Sequence, residues 1–232
     1  MSDLKNLRQE ALEFEMQGKI PKAINKLQQI IEINPELADV RLRLGELFYV
    51  SGEIDKSIEQ FEKVLELKPN YSFAMYKLGI SYFRATEFCK AINAFKHVIE
   101  VEPDLYMAYY WEGLSYYHTG EISKSIESYK KLQEKSPNNT LGFYQLAMSY
   151  KSAAKYKEAI EYLKEILKED PNIVSAHYHL GRSYTGLSEL DKAIEEFGKV
   201  VNLNPEYKDA ARRLKELTNS EDLYTFEVPP LQ

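Results

Sequence analysis

The sequence predicts an all-α protein, a solenoid of six stacked helical hairpins. Three observations predict it. First, Pro35, Pro69, Pro103, Pro137, Pro171 and Pro205 recur at a constant interval of 34 residues. A fixed period of this size marks repeats that share a continuous core. Aligned on these prolines, the repeats span 4–37, 38–71, 72–105, 106–139, 140–173 and 174–207, with the proline at repeat position 32. Second, a small residue and then an aromatic recur at positions 8 and 11: Ala11/Phe14, Gly45/Phe48, Gly79/Tyr82, Gly113/Tyr116, Ala147/Tyr150 and Gly181/Tyr184. Third, a small and then a large residue recur at positions 20 and 24: Ala23/Leu27, Ser57/Phe61, Ala91/Phe95, Ser125/Tyr129, Ala159/Leu163 and Ala193/Phe197.

Each element follows from this register. In the first helix of a repeat, positions 4, 7, 8 and 11 share one face. The small residue at position 8 lets the second helix approach closely, and the small residue at position 20 does the same from the other side. The large residues at positions 11 and 24 fill the space beside those contacts. Gly18, Gly52 and Gly120 stand at position 15, where the first helix must end and turn. Pro21 lies at the start of a second helix, where proline is tolerated. The proline at position 32 disfavours helix in the residue before it and so ends the second helix. Residues 208–218 form one further amphipathic helix with Ala210, Ala211, Leu214 and Leu217, a cap for the last apolar surface. Residues 219–232 lack helical periodicity and read as a tail, so the expected organisation is a solenoid over 1–218 followed by that tail.

The third repeat reads Met75, Leu78, Gly79, Tyr82, Ala91, Phe95, Pro103, and the sixth His177, Leu180, Gly181, Tyr184, Ala193, Phe197, Pro205. On these residues the chain resembles the tetratricopeptide repeat (TPR) family over 4–207. Glu10 and Glu112 depart from the usual leucine at position 7. The resemblance implies a right-handed α-solenoid of six TPR hairpins plus a C-terminal capping helix. It also implies that the first helices line a concave face, with positions 2, 5, 6, 9, 12 and 13 pointing there.

Composition narrows the function. The net charge of −6 argues against a general affinity for polyanions. One cysteine, Cys89, cannot build a disulfide framework or a multi-cysteine metal site. No apolar run reaches the roughly 18 residues of a membrane span, and the charged N-terminus does not read as a signal peptide, so a cytoplasmic protein is expected. Phosphate-loop, dinucleotide and zinc-protease motifs are missing. His177 and His179 lie two apart and face different ways, His177 at a packing position. No enzyme, cofactor or metal is expected.

The inner-face positions hold the most informative residues. Position 5 carries Tyr76, Tyr110, Tyr144 and Tyr178 in four consecutive repeats, and position 6 adds Trp111, the single tryptophan. Phe73, Phe83, Leu114, Tyr49 and Tyr117 extend the apolar set, and Arg43, Lys77, Arg84 and Arg182 supply charge. Counted over these positions, seven bases (Lys5, Arg8, Arg43, Lys77, Arg84, Lys151, Arg182) face three acids (Glu15, Asp39, Glu46). Aromatic anchors with arginine are the composition of interface hot spots. The expectation is a protein-interaction scaffold binding a segment with apolar and acidic residues in a basic, aromatic groove. No repeat pairs Lys at position 5 with Asn at position 9, which excludes the clamp by which the co-chaperone relatives hold a chaperone tail. Two alternatives remain: a single-stranded RNA-binding helical repeat, disfavoured by the net charge, and self-assembly through a tail whose Asp222, Tyr224, Phe226 and Glu227 match the groove's chemistry.

Overall fold

The computed structural model describes residues 2–224, and among them are thirteen α-helices and no strand. These fall into two compact bodies that divide between residues 121 and 122. The N-terminal body contains α1 (Ser2–Met16), α2 (Ile20–Ile33), α3 (Ala38–Ser51), α4 (Ile54–Leu67), α5 (Ser72–Arg84), α6 (Phe88–Val101) and α7 (Tyr106–His118). The C-terminal body contains α8 (Ile122–Lys135), α9 (Thr140–Ser152), α10 (Tyr156–Glu169), α11 (Val174–Gly186), α12 (Leu190–Leu203) and α13 (Lys208–Tyr224). Each body has its own hydrophobic core, the first around Leu27, Phe61 and Phe95, the second around Leu163, Leu180 and Phe197.

Each helix packs on the next within a body, and α5 also touches the first helices on either side, α3 and α7. The hairpin contact is governed by size matching at positions 8 and 24. A Cβ placed on Gly79 would stand 2.7 Å from the Phe95 ring, one on Gly45 2.7 Å from Phe61, and one on Gly181 2.8 Å from Phe197. All three rings are fully buried. Where position 8 is alanine, at Ala11 and Ala147, position 24 is the slimmer Leu27 or Leu163. Glycine therefore accompanies a ring and alanine accompanies leucine, because the backbone separation leaves room for only one of the two extra groups.

The turns follow the same register. Gly18, Gly52 and Gly120 take the left-handed φ that glycine adopts without strain. Thr86, Ala154 and Ser188 occupy the same repeat position and take it too, at φ of 61°, 56° and 59°. The sequence revealed only the three glycines. The second helices end two residues before each proline, and the intervening Asn34 and Asp170 are extended. The side chains of Asn34, Asp170 and Asn204 accept the backbone N–H two residues on. Two repeats also tie position 4 to the preceding proline: Arg41 donates to the Pro35 carbonyl at 2.7 Å, and His177 Nε2 donates to that of Pro171 at 2.8 Å. Of the two departures at position 7, Glu10 pairs with Lys26 at 2.6 Å and Glu112 is buried.

One boundary differs from the sequence reading. The last helix does not stop at residue 218 but runs to Tyr224. No proline or glycine interrupts 208–224, so nothing in the backbone ends the helix there. The remaining residues assigned to the tail, including Phe226, Glu227, Pro229 and Pro230, lie outside the described residues, and so does their docking. Among the described residues no helix is long and apolar enough to cross a membrane.

Two consequences can be measured by urea denaturation. Gly79→Ala overpacks Phe95 and is expected to cost about 1–3 kcal/mol, with most of the loss recovered in Gly79→Ala/Phe95→Leu, which rebuilds the Ala–Leu pairing of the first and fifth repeats. An unrecovered double variant would refute size matching. Thr86→Gly relieves a β-branched residue in the left-handed region and is expected to gain about 1 kcal/mol, while Gly52→Thr loses a similar amount.

Candidate functional site

In the N-terminal body α3, α5 and α7 lie side by side and enclose a pocket of about 370 Å³. Arg43, Glu46, Tyr49 and Val50 come from α3, Lys77 and Ile80 from α5, Trp111 from α7, and Phe61 from α4 closes the floor. Four of the expected site residues, Arg43, Tyr49, Lys77 and Trp111, thus share one cavity.

The Trp111 wall is rigid. Its Nε1 donates to the Tyr76 hydroxyl at 3.0 Å, its ring stacks on buried Phe95 at 15°, and Phe83 meets it edge-on at 5.3 Å. Tyr110 adds a second edge contact at 5.4 Å. Burial raises the Tyr76 phenol above its ordinary range, so it stays neutral. Phe83 continues the lattice to Phe88 and His118, and Tyr117 meets His118 edge-on. Leu114 and Tyr117 are half-buried, whereas Phe73 is exposed with the Lys77 ammonium 5.0 Å from its ring centre.

Charge is distributed less evenly than the sequence count suggests. Arg8 pairs with Asp39 at 2.6 Å and holds that carboxyl below its usual range. Arg43 is bonded to Glu15 and, at 3.1 Å, to Glu46, while Lys77 reaches Glu46 at 3.2 Å. The three inner-face acids therefore occupy three of the bases. Arg84 lies 4.8 Å from the Tyr49 ring centre and donates to the Tyr49 carbonyl. Among the described residues it has no ion-pair partner.

In the C-terminal body Tyr144 and Arg182 belong to a second group that includes Met148, Lys151 and His179. The Lys151 ammonium donates to His179 Nδ1 at 2.9 Å. That contact leaves the ring proton on Nε2, facing the Tyr144 hydroxyl at 3.2 Å. Burial, then the Lys151 and Arg182 charges, push His179 down to about 4. Burial and Arg182 bring Lys151 down to about 8. Tyr178 meets the His179 ring edge-on at 5.3 Å, but its hydroxyl is turned to another partner. It is buried against Phe197 and Tyr207, and its hydroxyl donates to Asp209. The fourth rung of the tyrosine ladder is core because α13 covers it.

Sequence reasoning passed over Val50 and His179. Both stand at inner-face positions, 13 and 6, but Val50 is neither aromatic nor charged and His179 was weighed only as a metal ligand. Among the described residues no three His, Cys, Asp or Glu side chains gather where they could hold a metal. Cys89 is exposed, and His177 is buried against Glu196 at 2.6 Å.

Comparison with known proteins places this architecture. Two family models described as tetratricopeptide repeat match residues 16–78 and 76–140, and one described as anaphase-promoting complex, cyclosome, subunit 3 matches 129–200. The chain belongs to the tetratricopeptide repeat family, a class of protein-interaction scaffolds. A solved structure described as YrrB, a TPR protein with an unusual peptide-binding site, is 21% identical with a TM-score of 0.71, covering 82% of this chain and 97% of that one. A MamA structure is 25% identical with a TM-score of 0.70, covering 74% and 94%. PilF of Pseudomonas aeruginosa is 16% identical with a TM-score of 0.70, covering 93% and 98%. A search of curated protein sequences gives no match.

The depressed His179 has a consequence for stability. Its unfolded imidazole titrates near 6.5 and its folded one near 4, so between these values the unfolded chain binds the extra proton. Stability attributable to this residue is full above pH 6.5 and is lost as the pH falls toward 4, by at most about 3 kcal/mol. Urea unfolding at pH 7.0, 5.5 and 4.5 should show a steeper decline for the native chain than for His179→Gln. Equal declines would place the imidazole in solvent.

Proposed function

We propose that this scaffold captures a protein segment on the face formed by α3, α5 and α7, seating an apolar side chain in the pocket and an acidic residue beside it. The pocket itself carries the reading. Its volume is in the range of ligand pockets, and its apolar walls, Tyr49, Val50, Ile80 and Trp111, combine with a rim of charge. Arg43 and Lys77 share Glu46 within the site, so they fix shape more than they attract anions. Arg84, stacked on Tyr49 and free of a carboxylate, is the cation that selects an acidic residue. The stacked Trp111 lattice keeps the cavity formed without a ligand and lowers the ordering cost of binding. YrrB, described with a peptide-binding site, supports the reading by analogy of fold. Nothing in the face supplies an activated nucleophile or a metal, and the proposed role is non-catalytic.

Selection of displayed random peptides on the full chain tests this. Recovered sequences should pair a large apolar residue with Asp or Glu, binding at micromolar Kd, about −8 kcal/mol. Val50→Glu, at a site 68% exposed, should weaken binding at least tenfold with the melting temperature unchanged, and Arg84→Gln should erase the acidic preference. Trp111→Ala should lose both binding and stability, since Phe95 and Tyr76 rest on it. Unaltered peptide affinity in Val50→Glu would sink the reading.

A further inference from the structure

We infer that the C-terminal body carries a second, separate seat for a single carboxylate, in which Lys151 of α9 and Arg182 of α11 bind the anion and His179 and Tyr144 hold Lys151 in position. The inference rests on the reading of the first helices as binding elements, and it adds a ligand chemistry to those of the C-terminal body.

The argument begins with an uncompensated charge. Lys151 is half-buried, and its hydrogen-bond partners are the His179 ring nitrogen at 2.9 Å and the Met148 sulfur at 3.4 Å. Neither is an anion. Burying an ammonium without a counter-charge is costly. Arg182 is close enough to repel both Lys151 and His179, and among the described residues neither Lys151 nor Arg182 has a carboxylate within ion-pair distance. In the N-terminal body Arg8, Arg43 and Lys77 each meet a glutamate or aspartate, and the one inner-face arginine without a carboxylate, Arg84, lies over the Tyr49 ring and is exposed rather than donating to another titratable group. The groups acting on Lys151 are His179 and Arg182 from α11 and Met148 from its own helix; those acting on His179 are Lys151 and Tyr144 from α9 and Arg182 from its own helix. All the charges among them are positive. Burial first, and these like charges second, lower the titration of both Lys151 and His179.

The donors define an anion, and their setting favours a carboxylate. A guanidinium presents a planar fork that matches a carboxylate or a phosphate, and an ammonium adds a point charge. Phosphate is ordinarily seated on backbone N–H groups at a helix N-terminus. Here Lys151 stands in the last turn of α9 and Arg182 lies within α11, so no such groups converge. The seat uses positions 5, 9 and 12 of one repeat and 6 and 9 of the next. It shares no pattern with the chaperone-tail clamp, which begins from Lys at 5 and Asn at 9.

The test is an NMR titration of the full chain with labelled lysine and histidine side chains at constant ionic strength. The probes are N-acetylglutamate α-amide for a side-chain carboxylate, N-acetylglycine for a chain-terminal one, inorganic phosphate, and N-acetylglutamine amide as the neutral control. A carboxylate probe should shift the His179 ring saturably and raise the Lys151 titration midpoint from about 8 by roughly one unit. Whichever carboxylate probe binds more tightly names the source. Lys151→Met fits beside Met148 and removes the repulsion, so it should fold, and it should abolish the His179 shift; Arg182→Gln should weaken it at least tenfold, and Lys151→Arg should retain it. No saturable shift, or the same shift in Lys151→Met, would falsify the seat. Phosphate binding ten times tighter than either carboxylate overturns the ligand class. None of these variants touches the α3–α5–α7 pocket, so failure here and failure of displayed-peptide binding are separate results.

Discussion

The structure depends on how closely the two helices of a hairpin can approach, and that distance is set by one contact. A Phe95 ring lies against Gly79 where a single Cβ would collide with it. Phe61 with Gly45 and Phe197 with Gly181 repeat the contact, and Leu27 with Ala11 and Leu163 with Ala147 solve it at a different size. The first helix is thereby held at a fixed depth over the second. Its opposite face, the one that meets its neighbours, is then presented in the same orientation in each repeat. The pocket between α3, α5 and α7 exists because three first helices are placed by this contact in succession, and Phe61, which enforces it, also forms the pocket floor.

Polar groups are fitted into that frame with the same periodicity. Arg41 with Gln60 and His177 with Glu196 place a buried polar pair at positions 4 and 23. Each also satisfies a proline carbonyl that the preceding helix end leaves open. Ser57 with Ser81 and Ser125 with Ser149 bond at 3.1 Å where position 20 is serine instead of alanine. Lys96, Lys130 and Lys164 each lie over the tyrosine at position 11 of the following repeat. Buried polar atoms without partners cost more than they contribute, so pairing across successive repeats fixes register as well as satisfying each group.

The first helices of the two bodies differ in their chemistry. In the N-terminal body Arg8, Arg43 and Lys77 are matched by carboxylates while Arg84 is not, and the distinctive feature is an apolar cavity walled by Trp111. In the C-terminal body the distinctive feature is Lys151 and Arg182, which have no carboxylate at ion-pair distance among the described residues. A segment binding the first would be chosen by shape and an apolar anchor, and an anion binding the second by charge. Specificity built from two chemistries in one chain is greater than either supplies alone.

The sequence by itself determined the helices and, the end of α13 apart, where they stop. Prolines at position 32, glycines at position 15 of three repeats and the small–large pairs act within one hairpin, over separations short enough for a periodic pattern to record them. The resemblance to TPR repeats, not the pattern alone, assigned Tyr49, Tyr76, Trp111 and Arg43 to an inner face. What only the tertiary structure decided is the state of that face: that Arg8 and Arg43 are already paired, that Trp111 is bound to Tyr76, that Tyr178 is core beneath α13, and that His179 sits against Lys151. Those partners lie about one repeat away, from 28 to 35 residues along the chain. Whether such residues meet depends on the spacing and rotation of one hairpin on the next. The position-8 and position-24 contacts fix that geometry in space, and no single repeat's pattern contains it.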